Sequence, residues 1–233
     1  MIRHHGNNDF RPTNLLNAKQ DQTPMQQVQI EPITPEQYHT VAKLMAFGFG
    51  HKFVKLSSLS VTELASIFEN WLRHTPYQTG SLRVTALEND VVIGTMALRW
   101  KSSEIGKQPK TIQTKWWKMY RYYDYWKLLQ FMMRIQLLKH KPEEGECYIE
   151  DIVVHPDHQG KGVGRHLLAW AQQYMLQTAN LSYLSLHVAH HNQKAMQMYE
   201  HYHFHKQNST NSLLTAMLLG EHQWNYMIRK GDS

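Results

Sequence analysis

The run His155-Pro-Asp-His-Gln-Gly-Lys-Gly-Val-Gly-Arg165 constrains this chain more than any other feature. An apolar segment, Cys147 to Val154, precedes it. Leu167, Leu168, Ala171, Tyr174 and Met175 follow at helical spacing within Gly162 to Asn180. A second apolar run, Leu181 to Val188, comes next. The pattern predicts strand, glycine-rich turn, helix and strand, and such a unit closes as a parallel, right-handed crossover. Gly160, Gly162 and Gly164 have no Cβ to keep a ligand from the backbone. They stand at a predicted helix N-terminus, where unpaired N–H groups and the helix dipole favour anions. Lys161 and Arg165 add positive charge, so the turn has the makings of a pyrophosphate cradle. A nucleoside-triphosphate loop would need Ser or Thr after its Gly-Lys step, and a dinucleotide loop would need a third glycine where Arg165 stands. On the glycines alone, a turn without a ligand stays open.

The rest of the chain surrounds this unit with short elements. Val28 to Glu31 predicts a strand, and Pro35 opens a helix that Gly48 and Gly50 are expected to end near Phe47. Thr62 to His74 predicts a second helix, capped by Thr62. Leu82 to Leu87 and Val91 to Trp100 flank Glu88-Asn89-Asp90 and predict an antiparallel hairpin. A short helix over Asn192 to Tyr202 and closing strands at Leu213 to Leu219 and Trp224 to Ile228 complete the order. The expected fold is α/β (α+β): a mixed, mostly antiparallel central sheet with one parallel strand-helix-strand unit. Residues 1–27 are polar and aperiodic and are expected to be a flexible tail. Residues 28–233 are expected to form a single domain.

Two separated motifs give the unit a family likeness. Gln159-Gly160-Lys161-Gly162-Val163-Gly164 resembles the Gln/Arg-x-x-Gly-x-Gly/Ala run of the GNAT acetyltransferases. Asn192, Ala195 and Tyr199 are similar to that family's Asn-x-x-Ala-x-x-x-Tyr element. The likeness covers about Glu146 to Phe204 and departs from the family at His203, where glycine is frequent. The resemblance implies acetyl-CoA as cosubstrate and the GNAT acyltransferase fold. It implies that backbone groups of Ile152, Val153 and Val154 pair with the pantetheine arm, and that the N–H groups of Gly160, Lys161, Gly162, Val163, Gly164 and Arg165 hold the pyrophosphate, with Gln159 a cofactor-binding residue at the start of the loop. Asn192 would hydrogen-bond the cofactor arm, and Tyr199 would protonate the departing thiolate. The attacking amine must lose a proton, and Glu150 and Asp151 are the candidate bases, Glu150 slightly favoured. Successive strand residues point to opposite faces, so both carboxylates can face one cleft only if the strand is bulged. A backbone N–H near Val154 would stabilise the oxyanion.

Charge is unevenly spread. The formal net charge is +6, yet residues 101–141 alone hold eight Lys and two Arg against Glu104 and Asp124, a net +8. Aromatic residues are interleaved through this insertion, which predicts helices that cap the substrate cleft or join two copies of the chain as a homodimer. A nucleic-acid surface is the weaker expectation. No stretch reaches the roughly 18 apolar residues of a membrane span, and a lone Cys147 rules out an internal disulfide, so a cytoplasmic protein is expected. Cys147 itself reads as a buried strand residue. His187, His190, His191, His201, His203 and His205 cluster in sequence but lack metal-ligand spacing, and no metal site is expected. The expected activity is N-acetylation of a small-molecule or peptide amine. The competing class is a non-catalytic acyl-CoA-binding sensor.

Overall fold

The computed structural model of the chain describes residues 28–57, 59–74, 80–101, 140–211 and 222–231. The expected tail, the basic aromatic insertion apart from its ends, and the strand expected at 213–219 lie outside the described residues. In chain order the elements are β1 (Gln29–Pro32), α1 (Tyr38–Ser57), α2 (Val61–His74), β2 (Ser81–Glu88), β3 (Val91–Trp100), β4 (Glu146–Val154), α3 (Val163–Gln177), β5 (Tyr183–Ala189), α4 (Gln193–His201), β6 (His205–Asn211) and β7 (Gln223–Lys230). One seven-stranded sheet has the order β1-β2-β3-β4-β5-β7-β6. Strands β4 and β5 run parallel, and every other neighbouring pair is antiparallel. The sheet is thus mixed and mostly antiparallel, with its parallel step across the β4-α3-β5 unit.

Each face of the sheet carries its own core. Helices α1 and α2 bury Val41, Met45, Leu64, Ile67 and Phe68 against Leu87, Val92 and Val153. Helices α3 and α4 bury Leu167, Leu168, Ala171, Met175 and Tyr199 against Val84, Met96, Leu98, Ile149, Leu184 and Leu186. Burying one such side chain stabilises the fold by about 1.5–3 kcal/mol. Among the described residues, no helix is long and apolar enough to cross a membrane.

Three local expectations are corrected. Helix α1 does not stop at Gly48 and Gly50 but continues to Ser57. A glycine inside a helix costs about 1 kcal/mol relative to alanine. At Gly48 close packing demands it, because a Cβ there would lie 2.6 Å from Val153 Cγ1. Helix α2 is capped by Ser60 rather than Thr62. Ser60 Oγ accepts from the Glu63 N–H at 3.1 Å, and the Glu63 carboxylate accepts from the Ser60 N–H at 2.7 Å. Strand β6 was not expected, since His205–Asn211 is polar throughout. Among the described residues it pairs with β7 alone, at the sheet edge, where no apolar alternation is required. The hairpin is as expected, with Asn89 and Asp90 both at positive φ in a two-residue turn.

Candidate active site

On the α3 side, backbone builds the site. Gly160 (φ +75°) and Gly162 (φ +86°) are in the left-handed region, where a side chain is strained. A Cβ on Gly160 would meet nothing within 4 Å, so the loop is open on that side. Gly162 is the N-cap of α3, and no side chain caps the helix there. The first N–H groups of α3 are thus left to face outward. At Gly164 a Cβ would meet Met198 Sδ at 3.4 Å, so this glycine lets α3 sit close to α4. Arg165 reaches the Tyr202 hydroxyl and joins the first turn of α3 to the end of α4. Gln159 donates to the Val154 carbonyl at 3.2 Å, while Lys161 is exposed. Asn192 caps α4, its Oδ1 accepting from the Ala195 N–H at 3.3 Å. Tyr199 is buried against Phe204, and burial pushes its phenol up to about 12, so it stays protonated.

Between the two faces the sheet opens. Strands β4 and β5 pair from Glu146↔Tyr183 to Ile149↔Leu186, and their register ends there. Strand β4 continues to Val154, paired with β3 through Gly94↔Val154. Among the described residues, the edge from Glu150 to Val154, including Ile152 and Val153, is therefore turned to a gap and not to a strand. A linear ligand lying in that gap would find the edge of a parallel strand with which to hydrogen-bond.

On the α1 side, charged side chains build the site. Ala97 pairs with Asp151 and Leu98 with Ile149, so Glu150 is the extra residue of a β-bulge. The bulge puts Glu150 and Asp151 on one face. Arg83 pairs with Ala97, whose small side chain lets the guanidinium reach across to Asp151, with bonds of 2.8 and 2.6 Å. That pair is nearly closed from water, its side chains 8% and 10% exposed. Glu150 Oε1 lies 2.7 Å from Arg99 Nε, and burial, opposed by Arg99, raises its pKa.

Farther along β4, Glu146 is fully buried and accepts from four groups. They are His140 Nε2 (2.9 Å), Tyr226 Oη (2.8 Å), the Glu143 N–H (2.7 Å) and Ser185 Oγ. Burial alone would raise this carboxyl; the hydrogen bonds outweigh it and bring it down to about 2. Tyr148 Oη lies 3.2 Å from His187 Nδ1, and the rings of His140, Tyr148, His187 and Tyr226 pack together. Cys147 is buried, its thiol pushed up to about 12 by burial and then by Glu146.

The family description "Acetyltransferase (GNAT) family" matches residues 51–204. The chain belongs to the GNAT acetyltransferase family. Solved structures share the fold. A mutant spermidine N-acetyltransferase from Vibrio cholerae is 18% identical, with a TM-score of 0.54 over 88% of this chain and 94% of that one. A GNAT-family acetyltransferase from Streptococcus pneumoniae is 15% identical, with a TM-score of 0.53 over 88% and 99%. A Vibrio cholerae spermidine N-acetyltransferase in complex with CoA and spermine is 18% identical, with a TM-score of 0.52 over 88% and 96%. No curated protein matches the chain.

The GNAT cosubstrate is acetyl-CoA. The residues here suit its shape: an uncapped helix N-terminus behind open glycines, then a free strand edge leading to the gap. The expected site residues divide by face. Gln159 to Arg165, Asn192 and Tyr199 lie with α3 and α4, whereas Glu150 and Asp151 lie across the sheet. His203, the departure from the family, has φ +61°, which explains why glycine suits this position. The histidines that cluster in sequence disperse: His187 lies beside Tyr148, His190 contacts Asn225, and His201 packs on Tyr202. Arg83, Arg99 and Tyr148 line the same face and were not flagged by the sequence pattern, and His187, noted there only within a histidine cluster, lies beside Tyr148. Their positions across the hairpin, on β4 and along β5 were the available signal.

Proposed function

We propose that this chain transfers the acetyl group of acetyl-CoA to a primary amine by direct attack in a ternary complex. The observation that carries the reading is the opening between β4 and β5. It leaves the edge from Glu150 to Val154 free between a backbone anion cradle on one face and ionisable side chains on the other. Gly160 to Arg165 hold the pyrophosphate, Gln159 and Asn192 flank the cofactor arm, and Ile152 to Val154 pair with the pantetheine. A backbone N–H near Val154 receives the oxyanion. Holding amine and thioester in line supplies much of the rate.

In this reading Glu150 removes the ammonium proton. Its raised pKa and its position at the lip of the gap favour it over Asp151, which is committed to Arg83 through both oxygens. Tyr199 protonates the thiolate, and burial keeps its proton in place until then. The acceptor is a small molecule or peptide that is neutral, anionic or only weakly cationic apart from its reacting amine. Both carboxylates at the gap already face guanidinium groups, and the +8 segment returns to the sheet at β4. Residues 28–233 act as one cytoplasmic catalytic domain behind a polar tail, with the insertion shaping the acceptor side and no nucleic acid among the partners.

Free-thiol release from acetyl-CoA across a panel of amines tests the reading. The wild-type chain should release thiol with at least one non-polycationic amine. Tyr199→Phe should lower turnover about 100-fold, with acetyl-CoA affinity nearly unchanged. Tight acetyl-CoA binding with no amine-dependent thiol release would favour the sensor instead. Best turnover with spermine would defeat the acceptor class.

A further inference from the structure

Two protons leave an amine nitrogen on its way from ammonium to amide. One carboxylate takes the first, and, once protonated, cannot take the second. The last parallel pair is Ile149↔Leu186, so the first positions past the parting of the strands are Glu150 on β4 and His187 on β5. The two residues bracket the gap from opposite strands. His187 shares its strand face with Ser185, and so with Tyr148 and the buried Glu146.

We propose that His187 is a further catalytic residue, the acceptor of the second proton, taken from the nitrogen after it has bonded to the acyl carbon. The inference rests on the acetyl-transfer reading above. Glu150 takes one proton from the ammonium, and the neutral amine forms the C–N bond. His187 Nε2 takes the next proton from the now cationic nitrogen. The C–S bond breaks, and the thiolate receives the Tyr199 proton. Of the two protons held on Glu150 and His187, one restores Tyr199 and the other goes to solvent. Ammonium and thioester thus yield amide, thiol and one proton.

The surroundings suit this task. The imidazole is half-buried, and burial, followed by the neighbouring His140, holds it down to about 4 against the opposing pull of Glu146. It is therefore uncharged at neutral pH, a weak base that would take a proton only from the strongly acidic cationic nitrogen and would release it readily to solvent. Nδ1 lies against the Tyr148 hydroxyl, and no described residue bonds Nε2. Tyr148 is pushed above its ordinary range, first by burial and then by Glu150, Glu146 and Asp151 against Arg99, and remains a phenol. With the proton on Nδ1 directed to the Tyr148 oxygen, the Nε2 lone pair is left for the gap. The groups packed around the ring are His140 before β4, Glu146 and Tyr148 on β4, and Tyr226 on β7.

The test uses the full chain and the best amine from the panel. His187→Ala and His187→Gln should each lower turnover about 100-fold, with the KM for acetyl-CoA within about twofold of wild type. Glutamine can hydrogen-bond Tyr148 but cannot take a proton, so it should be no better than alanine. Added imidazole should restore turnover to His187→Ala in a concentration-dependent way and leave Glu150→Gln unchanged. Wild-type turnover in either variant overturns the proposal. So does a loss that imidazole does not relieve, or near-normal activity in His187→Gln with a loss confined to His187→Ala. In each of these cases an active wild type and an impaired Tyr199→Phe leave the acetyl-transfer reading standing. A wild-type chain that releases no thiol with any amine removes both.

Discussion

On the α3 and α4 face, the chain offers a ligand its backbone: glycines at positive φ, an uncapped helix end and a strand edge that no described strand pairs with. On the α1 and α2 face it offers side chains held by one another, with Arg83 on Asp151, Arg99 beside Glu150, and four donors on Glu146. The first region comes from a few consecutive residues. The second is assembled from β2, β3, β4, β5 and β7, with partners such as Arg83 and Asp151 lying 68 residues apart. A backbone cradle tolerates side-chain change wherever φ allows it. A buried charge network does not, because removing one partner strands the other.

Damage to the side-chain face should therefore appear first as lost stability. Arg83→Leu leaves the Asp151 carboxylate nearly buried and unpaired, and should cost about 3–5 kcal/mol in urea unfolding. Changing both residues to leucine should recover most of that. If Arg83→Leu alone is neutral, the network is not holding this face. The pH dependence is the next largest effect. The Glu146 pKa is lowered by folding, so its stabilisation is present above about 4.5 and is lost as pH falls toward 2. About 3 kcal/mol should disappear across that window, on the order of 1.4 kcal/mol per pK unit. Glu146→Gln should flatten the urea midpoint over the same range, whereas an unaltered slope would count against the four-donor description.

The backbone face should respond in binding more than in stability. Gly162→Val forces a branched residue to φ +86°, costing about 1–3 kcal/mol locally, and places bulk at the cradle. Calorimetric affinity for acetyl-CoA should fall about 10-fold or more; an undiminished affinity would move the pyrophosphate elsewhere. The smallest effect is a gain. His203→Gly relieves φ +61° at the end of α4 and should add about 0.5–1 kcal/mol, seen as a rise of a few degrees in Tm. A lowered Tm would mean that the imidazole makes up for the strain.

The sequence by itself determined the elements whose signals are local. The two-residue turn at Asn89 and Asp90, the glycine loop before α3, the short helix from Asn192 with Tyr199 seven residues on, and the β4-α3-β5 crossover all follow from spacing and residue chemistry within short windows. Polar β6 and the continuation of α1 through Gly48 were not legible, because an edge pairing and a contact with Val153 decide them. The charged face depended on tertiary structure still more. Continuing the hairpin from Glu88↔Val91 without interruption would set Arg83 opposite Met96. The irregularity that leaves Ile93 unpaired shifts Arg83 to Ala97, and the extra Glu150 in β4 then brings both carboxylates to the same face as the arginine. A one-residue shift turns every following side chain to the other side of a sheet. Which charges meet is therefore a property of register, and two bulges set by packing against the neighbouring strands and helices decided it here.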